Sequence, residues 1–418
     1  MISPQNKNLC CGCSACVSAC TQRCISMKTD EEGFLYPSVD TKNCINCGLC
    51  ERVCPFMRKD IGEITPLQTF AAKNLDNDVR AGSSSGGLFS LFAEKIIEQG
   101  GVVIGAQYDE EWNVVHGFAT TTKELLKFRG SKFVQSFIGD TYRIAKEYLK
   151  KGRWVLFSGT PCQIIGLKQY LGKDDPHLLT IDFICHGVPS PKVWKHYLNE
   201  LLEIVHKGNQ KQFRSVFTCV IPETVVPFNG VLERISFRDK TLGWKKSCFA
   251  LYFTDISEDS DKNNSTRFFI ANDYRSKYFA AFNDNLIIRQ SCFNCPAKGG
   301  RGKSDITLAD FWGVEKELPD FSDDKGVSIC MCNTVRGQSV YESLKVDDRE
   351  VSHTQAISHN QSWRASLPPH PKREQFFKSF AKEGKVLKSI DKCLGPSMLL
   401  RFMGSMKIAI KRIISFHR

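Results

Sequence analysis

The chain has 418 residues, of which 42% are hydrophobic and 24% are charged. This length allows two or three domains with hydrophobic cores, and the composition excludes a disordered chain. No apolar stretch reaches the roughly 18 residues that a membrane span needs, and the N-terminal residues lack the apolar segment of a secretory signal. We therefore expect a cytoplasmic protein whose thiols stay reduced.

The net charge of +12 is concentrated near the C-terminus. Residues 370–418 hold twelve Lys and Arg against three Asp and Glu, which leaves the rest of the chain nearly neutral. A nucleic-acid-binding protein would carry its basic residues on a folded surface or groove. We expect no nucleic acid among the partners.

Ten of the nineteen cysteines fall between Cys10 and Cys54. In a large chain without a secretory signal, this density favours metal ligation over disulfides. Two runs share the spacing C-x2-C-x2-C-x3-C, and the second closes with Pro55. The runs are Cys10, Cys13, Cys16 and Cys20, then Cys44, Cys47, Cys50 and Cys54.

This spacing is typical of bacterial ferredoxins with two [4Fe–4S] clusters, in which the fourth cysteine of each run ligates the other cluster. Cys20 should then serve the cluster of the second run, and Cys54 that of the first. A zinc site is the alternative, but zinc sites use two separated pairs of ligands. Thr21 stands where a proline would normally follow, and Cys11 and Cys24 are interpreted as spare thiols.

After Pro66 the sequence alternates between short apolar strands and helices, which predicts an α/β domain with a mixed, largely parallel sheet. The predicted strands are Val102–Tyr108, Trp154–Phe157 and Leu178–Ile184. Before them, the Ser83–Gly87 turn leads into a helix with apolar Leu88, Phe89, Phe92 and Ile96 on one face. Such a turn can bind phosphate, or it can simply cap the helix.

Four further cysteines are placed where loops of an α/β sheet meet. Cys162 starts a predicted helix, Cys185 follows a strand, and Cys292 and Cys295 form a C-x2-C pair. Loops after parallel strands gather at one edge, so the four thiols could come together. Alternatively, Cys162 is a nucleophile with His186 as its base.

The segments around these cysteines resemble the coenzyme F-420 hydrogenase/dehydrogenase beta-subunit family, over roughly residues 70–345. Members of that family bind FAD and an iron–sulfur cluster and transfer electrons between them. A ferredoxin module is a common companion. The resemblance is carried by Phe157–Gln163, Cys185–Pro191, Phe237–Lys240, Cys292–Cys295 and Asp305–Gly313.

The resemblance implies roles for particular residues. It makes Cys162, Cys185, Cys292 and Cys295 ligands of a third [4Fe–4S] cluster. Lys132 becomes a candidate catalytic residue and flavin partner, although it could equally be a solvated surface lysine. The candidate FAD-phosphate contacts are Ser84, Ser85, Gly86 and Gly87.

The expected fold is an α+β ferredoxin-like domain, then an α/β domain, then a helical basic tail. We expect the boundaries 1–62 for the ferredoxin domain, 68–150 for the FAD-binding part, 151–345 for the part with the third cluster, and 346–418 for the tail.

The expected function is a flavin-dependent oxidoreductase with three [4Fe–4S] clusters, FAD, an unidentified small-molecule substrate and a redox partner protein or ferredoxin. The alternatives are a non-catalytic electron-transfer subunit and an accessory protein of surface-polysaccharide synthesis.

The tail generates a prediction of its own. From Pro396 onward, apolar residues such as Leu399 and Ile410 fall on one helical face, with basic residues such as Arg401 and Lys411 largely opposite. A helix of this kind can lie on an anionic membrane surface, here the inner face, or it can pack on the protein. Deletion of residues 397–418 should reduce co-sedimentation with anionic vesicles, and equal sedimentation of both proteins would contradict the membrane contact.

Overall fold

A computed structural model of the protein describes residue 2 and residues 6–57, 62–217, 219–221, 226–255, 265–271 and 276–395. The predicted tail helix from Pro396 onward lies outside the described residues. The described strands are β1 Ile25–Thr29, β2 Leu35–Val39, β3 Gln68–Asn74, β4 Val102–Tyr108, β5 Val114–Ala119, β6 Val155–Ser158, β7 Leu178–Phe183, β8 Cys219–Ile221, β9 Gly230–Asp239, β10 Cys248–Asp255, β11 Ser265–Ala271, β12 Ile306–Asp310, β13 Ser328–Cys332 and β14 Val346–Glu350.

Helices connect most of these strands. The α-helices are α1 Ala15–Ala19, α2 Leu49–Arg52, α3 Asn77–Ala81, α4 Leu88–Glu98, α5 Thr141–Lys150, α6 Pro161–Leu171, α7 Pro191–Lys207, α8 Gln210–Val216, α9 Lys277–Asn283, α10 Val314–Glu317, α11 Val335–Glu342, α12 His353–Ile357, α13 Gln361–Arg364, α14 Arg373–Glu383 and α15 Val386–Leu394. Short 3-10 helices cover Lys7–Leu9, Lys123–Phe128, Gln290–Asn294 and Pro319–Phe321. No helix among the described residues is long and apolar enough to cross a bilayer.

The described chain forms two compact units, each discontinuous in sequence. The first comprises Met1–Lys192, Asp239–Lys245 and Ile288–Pro368, and the second comprises the remaining segments. The boundaries of the four segments expected from the sequence (1–62, 68–150, 151–345 and 346–418) follow motifs and the family resemblance. They stay a prediction.

An eight-stranded mixed sheet forms the centre of the first unit, in the order β14-β3-β13-β12-β7-β6-β4-β5. The four strands β4, β6, β7 and β12 run parallel to one another. The flanking strands β13, β3, β14 and β5 all pair antiparallel. The prediction of a mixed sheet is confirmed, but the prediction that it is largely parallel is wrong, because only its middle is parallel.

Both faces of this sheet are covered by helices. On one face, Val103 and Leu156 pack with Phe92 of α4 in one buried cluster. On the other face, Ile104 and Phe157 are buried in a cluster with residues of α5 and α6. Successive strand residues point to opposite faces, which is why Val102–Ile104 of β4 and Val155–Phe157 of β6 are apolar at every position.

The second unit has its own sheet and core. Its four strands lie in the order β8-β11-β10-β9. Aromatic side chains fill the core, and Trp194 lies 5.0 Å from the ring of Phe237, which is itself 5.1 Å from Phe249. The aromatic content of the middle of the sequence is therefore explained by packing.

One buried carboxylate ties β7 to β12 in the first unit. Asp305 is 2% exposed and accepts hydrogen bonds from the Thr180 amide (2.8 Å), the Thr180 hydroxyl (2.6 Å) and the Thr334 hydroxyl (2.8 Å). Removal of the carboxylate would leave the buried Thr180 amide without this acceptor. A buried donor without an acceptor lowers stability by its full desolvation cost.

We expect Asp305→Ala to lower the free energy of unfolding by at least about 3 kcal/mol, because it removes three hydrogen bonds to a charged group, each of which contributes about 1.5–3 kcal/mol. Asp174→Ala is the control, because Asp174 is an exposed partner of Arg336, which also lies near Asp305. That surface pair should contribute less than about 1 kcal/mol. Denaturant unfolding under anaerobic conditions measures both, and equal losses would contradict the role of Asp305.

Candidate iron–sulfur centre

The first cysteine run turns at Gly12, which has a φ of 68°. A Cβ atom at this position would lie 2.8 Å from Nε2 of Gln135 and 3.0 Å from Nη1 of Arg289. Glycine is therefore required both by the left-handed backbone and by the close approach of two buried side chains. The turn leads directly into α1, which carries Cys16.

The structure brings Cys54 to the first run. Burial, followed by negative charge on the neighbouring Cys10 and Cys54, raises the pKa of the Cys16 thiol to about 12. Thiols that influence one another in this way lie close together. The arrangement supports a first cluster that uses Cys54 from the second run, which stays a prediction.

Cys20 lies on the side of the second run. Its sulfur is 3.4 Å from that of Cys24, which in turn contacts Cys44. Cys24, interpreted from the sequence as a spare thiol, thus lies against two expected ligands. Of the second run, Cys47 is exposed, and the neighbouring Ile45 is 64% exposed.

The four cysteines expected to hold a third cluster line one cavity in the first unit. Cys162 is in the first turn of α6, just after β6, and Cys185 follows β7, so parallel neighbouring strands deliver both to one edge. Cys292 lies in a short 3-10 helix and Cys295 directly follows it. A cubane takes four thiolates, and these residues supply four around one space.

Burial and the neighbouring thiols of the cavity disfavour the charged form of Cys185. Burial raises the pKa of Cys185 well above its ordinary value, and negative charge on Cys292, Cys162 and Cys295 adds to this rise. The positive charge of Lys298 acts in the opposite direction on Cys185. The ammonium group of Lys298 donates hydrogen bonds to the carbonyls of Cys185 and Ser362.

The donor set fits an iron–sulfur cluster. The mutual repulsion of four thiolates is relieved when iron binds them. Among the described residues, no three His, Cys, Asp or Glu side chains are arranged as ligands of a single metal ion.

A fifth thiol, that of Cys11, also lines this cavity. Cys11 is buried and makes side-chain hydrogen-bonding contacts with Cys13 of the first run and with Cys162. Its carbonyl accepts a hydrogen bond of 2.9 Å from Nε2 of Gln135. The interpretation of Cys11 as a mere bystander is therefore incomplete, because it connects the ferredoxin region to the cavity. No spacing rule identifies it.

The alternative of a nucleophilic Cys162 receives little support. Its contact with Cys11, followed by burial, raises the pKa of the Cys162 thiol well above its ordinary value. A reactive thiol needs a lowered pKa. The imidazole of the proposed base, His186, lies 3.2 Å from the hydroxyl of Ser362.

The structure places the two groups of predicted flavin residues side by side. The hydroxyl of Ser84 accepts a hydrogen bond of 2.6 Å from the amide of Ser131, the residue before Lys132. Two other expected phosphate contacts are engaged within the protein: Ser85 donates to the Val327 carbonyl, and the Gly86 amide donates to Ser328. Gly87, with a φ of 84°, caps α4 without a side chain.

Lys132 is not a freely solvated surface lysine. Its ammonium group donates to the carbonyls of Phe128, Arg129 and Gly130 at 3.4, 3.2 and 3.2 Å. It also lies 5.6 Å from the centre of the Tyr108 ring. Burial lowers the pKa of Lys132 to about 7, so its charge responds to pH near neutrality.

Sequence reasoning missed a buried histidine next to Lys132. Burial lowers the pKa of His116 to about 4, with a hydrogen bond to Ser158 opposing the shift and the charge of Lys132 adding to it. Its Nε2 lies 3.0 Å from the Ser158 carbonyl at the end of β6, four residues before Cys162. A lone histidine in a strand gives no motif signal.

Two ferredoxin-type cysteine runs, docked in one compact unit with a helix-covered mixed sheet, define an iron–sulfur protein. Comparison with known families agrees. Residues 9–57 match the 4Fe-4S dicluster domain. Residues 69–138 and 152–358 match the N-terminal and C-terminal domains of the coenzyme F420 hydrogenase/dehydrogenase beta subunit.

These two domains span about two thirds of the chain, and the chain belongs to this beta-subunit family. Among solved structures, it is similar to a chain of the xenon-derivatised F420-reducing [NiFe] hydrogenase complex from Methanosarcina barkeri. The identity is 16%, the TM-score is 0.41, and the match covers 80% of this chain and 94% of that one. No curated protein matches the chain.

The third site can be tested by counting iron. We expect the anaerobically reconstituted protein to hold about twelve irons and the Cys292→Ser protein about eight, because a cubane has four ligands and four irons. Cys393→Ser is the control, since Cys393 is also buried but belongs to the second unit. Eight irons in all three proteins would rule out the third cluster.

Proposed function

We propose that the chain is a flavin-dependent iron–sulfur oxidoreductase that uses three [4Fe–4S] clusters and FAD. The observation that carries this proposal is the contact of Cys11 with both Cys13 and Cys162. It supports a continuous route between the ferredoxin runs and the four-cysteine cavity. Sites in direct contact through buried side chains suit electron transfer without exposure to water.

Helix packing supports the same route. A Cβ atom on Gly166 of α6 would lie 3.0 Å from the sulfur of Cys13. Because glycine stands there, the first run can approach the helix that begins beside Cys162. Cys162 and Gly166 are four residues apart and lie on one face of α6, so two sets of expected ligands meet beside the same helix turn, which positions cofactors closely.

The residues around Ser84 support a flavin site at the other side of β6. The pairing of Ser84 with Ser131 brings a helix start close to the loop of Lys132. In this proposal Lys132 supplies positive charge to an anionic part of FAD, and the neutral His116 lies between Lys132 and the end of β6. When bound, FAD supplies conversion between one-electron and two-electron steps.

A second candidate function is that of an electron-transfer subunit without a substrate of its own. The exposed Cys47 and Ile45 favour it, because a protein partner could dock beside the second run. The hydrogenase complex from Methanosarcina barkeri is such an assembly of subunits. Anaerobic turnover of a small-molecule acceptor by the isolated chain distinguishes the two functions.

Flavin content and its pH dependence test the primary proposal. We expect about one FAD per chain after acid release, and an affinity for FAD that falls as the pH rises through about 7, where Lys132 loses its charge. Lys132→Met should weaken binding about tenfold at pH 6 and remove this pH dependence.

Lys127→Met is the control, because Lys127 is an exposed lysine of the same segment. It should bind FAD as the wild type does. A protein that neither holds nor binds FAD under any of these conditions would contradict the flavin-dependent function and leave the electron-transfer subunit.

A further inference from the structure

The side chain of Arg289 is fully buried in the first unit, with 0% of its surface exposed. Nε donates to the Cys10 carbonyl at 2.8 Å, and Nη2 donates to the Leu35 carbonyl at 2.9 Å. Nη1 donates to Oε1 of Gln135 at 3.0 Å. Nη2 also lies 3.7 Å from the sulfur of Cys10, an expected ligand of the first cluster.

No Asp or Glu among the described residues forms an ion pair with Arg289. Its guanidinium lies 4.2 Å from the centre of the Tyr36 ring and 5.4 Å from that of Phe34, which offsets only part of the cost of burial. A buried charge without an opposite charge is strongly destabilising. The position therefore calls for a nearby anion.

Both expected cluster sites can supply this anion. Arg289 directly precedes the 3-10 helix that carries Cys292. The backbone amide of Arg289 donates to the carbonyl of Val188, and the backbone amide of Val188 hydrogen-bonds with Cys292. The charge of Arg289 lowers the pKa of both Cys292 and Cys162 against the effect of burial. The guanidinium thus contacts Cys10, and its charge also acts on two ligands of the proposed third cluster.

We propose that Arg289 is the shared counter-charge of the first ferredoxin cluster and the third cluster, and that it raises the midpoint potential of both. The inference rests on the proposed three-cluster function. Reduction adds one electron and one negative charge to a cluster, so a fixed positive charge favours the reduced form. Arg289 is a positioning residue that shifts both potentials in the same direction along the route through Cys11.

Arg289→Gln should make both clusters harder to reduce while leaving the ferredoxin cluster of the second run nearly unchanged. At a fixed potential, the ratio of reduced to oxidised cluster should fall about tenfold for the two affected clusters, equivalent to about 59 mV for one electron. Dithionite titration followed by EPR measures this, with iron counted in each sample. Arg153→Gln, at an exposed arginine, is the control for a lost positive charge.

Gln135→Glu provides a second test that leaves Arg289 in place. The new carboxylate would keep an acceptor for Nη1 and neutralise the guanidinium, so the same two potentials should fall. Because the new carboxylate also acts on the clusters directly, Arg289→Lys is the control. It keeps the positive charge, so both potentials should stay near the wild-type values, whereas a purely structural role of Arg289 would predict the same result as in Arg289→Gln.

The outcomes separate the two proposals. Twelve irons with both potentials lowered would support the shared counter-charge. Twelve irons with unchanged potentials, or with only one cluster affected, would overturn it. Eight irons in the wild type would overturn the three-cluster function and the sharing, while a shift of the first-run cluster alone would still identify Arg289 as its counter-charge.

Discussion

The parallel pairing of β6 with β7 is the constraint on which the four-cysteine cavity depends. Two strands that run in the same direction end at the same edge, so the loops after Ser158 and Phe183 emerge side by side. Cys162 and Cys185 come from these loops although they are distant in sequence. An antiparallel pair would have sent one of them to the opposite edge of the sheet.

Local sequence patterns were sufficient to predict features that depend on residues close together in the chain. The helix predicted from Leu88, Phe92 and Ile96 is α4, and those side chains are buried as the periodicity requires. Strand β4 has the predicted ends, Val102 and Tyr108. The two cysteine runs were recognisable because cubane geometry dictates the intervals between thiolates.

Features that depend on distant segments could not be predicted. Arg289 and Gln135 acquire their roles only because the chain folds them against the Gly12 turn, and Cys11 becomes a link only when α6 packs beside it. The Gly86 amide was expected to be available to a phosphate, but Ser328, 242 residues further along, accepts from it. The antiparallel flanks of the sheet likewise could not be predicted, because a local sequence pattern does not show which strands become neighbours or in which direction they pair.

The position of β3 has a consequence for synthesis. This strand, at Gln68–Asn74, lies between β13 and β14, so both of its neighbours are made more than 250 residues later. Until β13 is complete at Cys332, β3 has two unpaired edges, and one edge stays unpaired until Glu350; such edges invite pairing with other chains. Long-range closure of this kind is also slow. The ferredoxin runs, by contrast, are complete by residue 54, so iron can be inserted there while most of the large sheet does not yet exist.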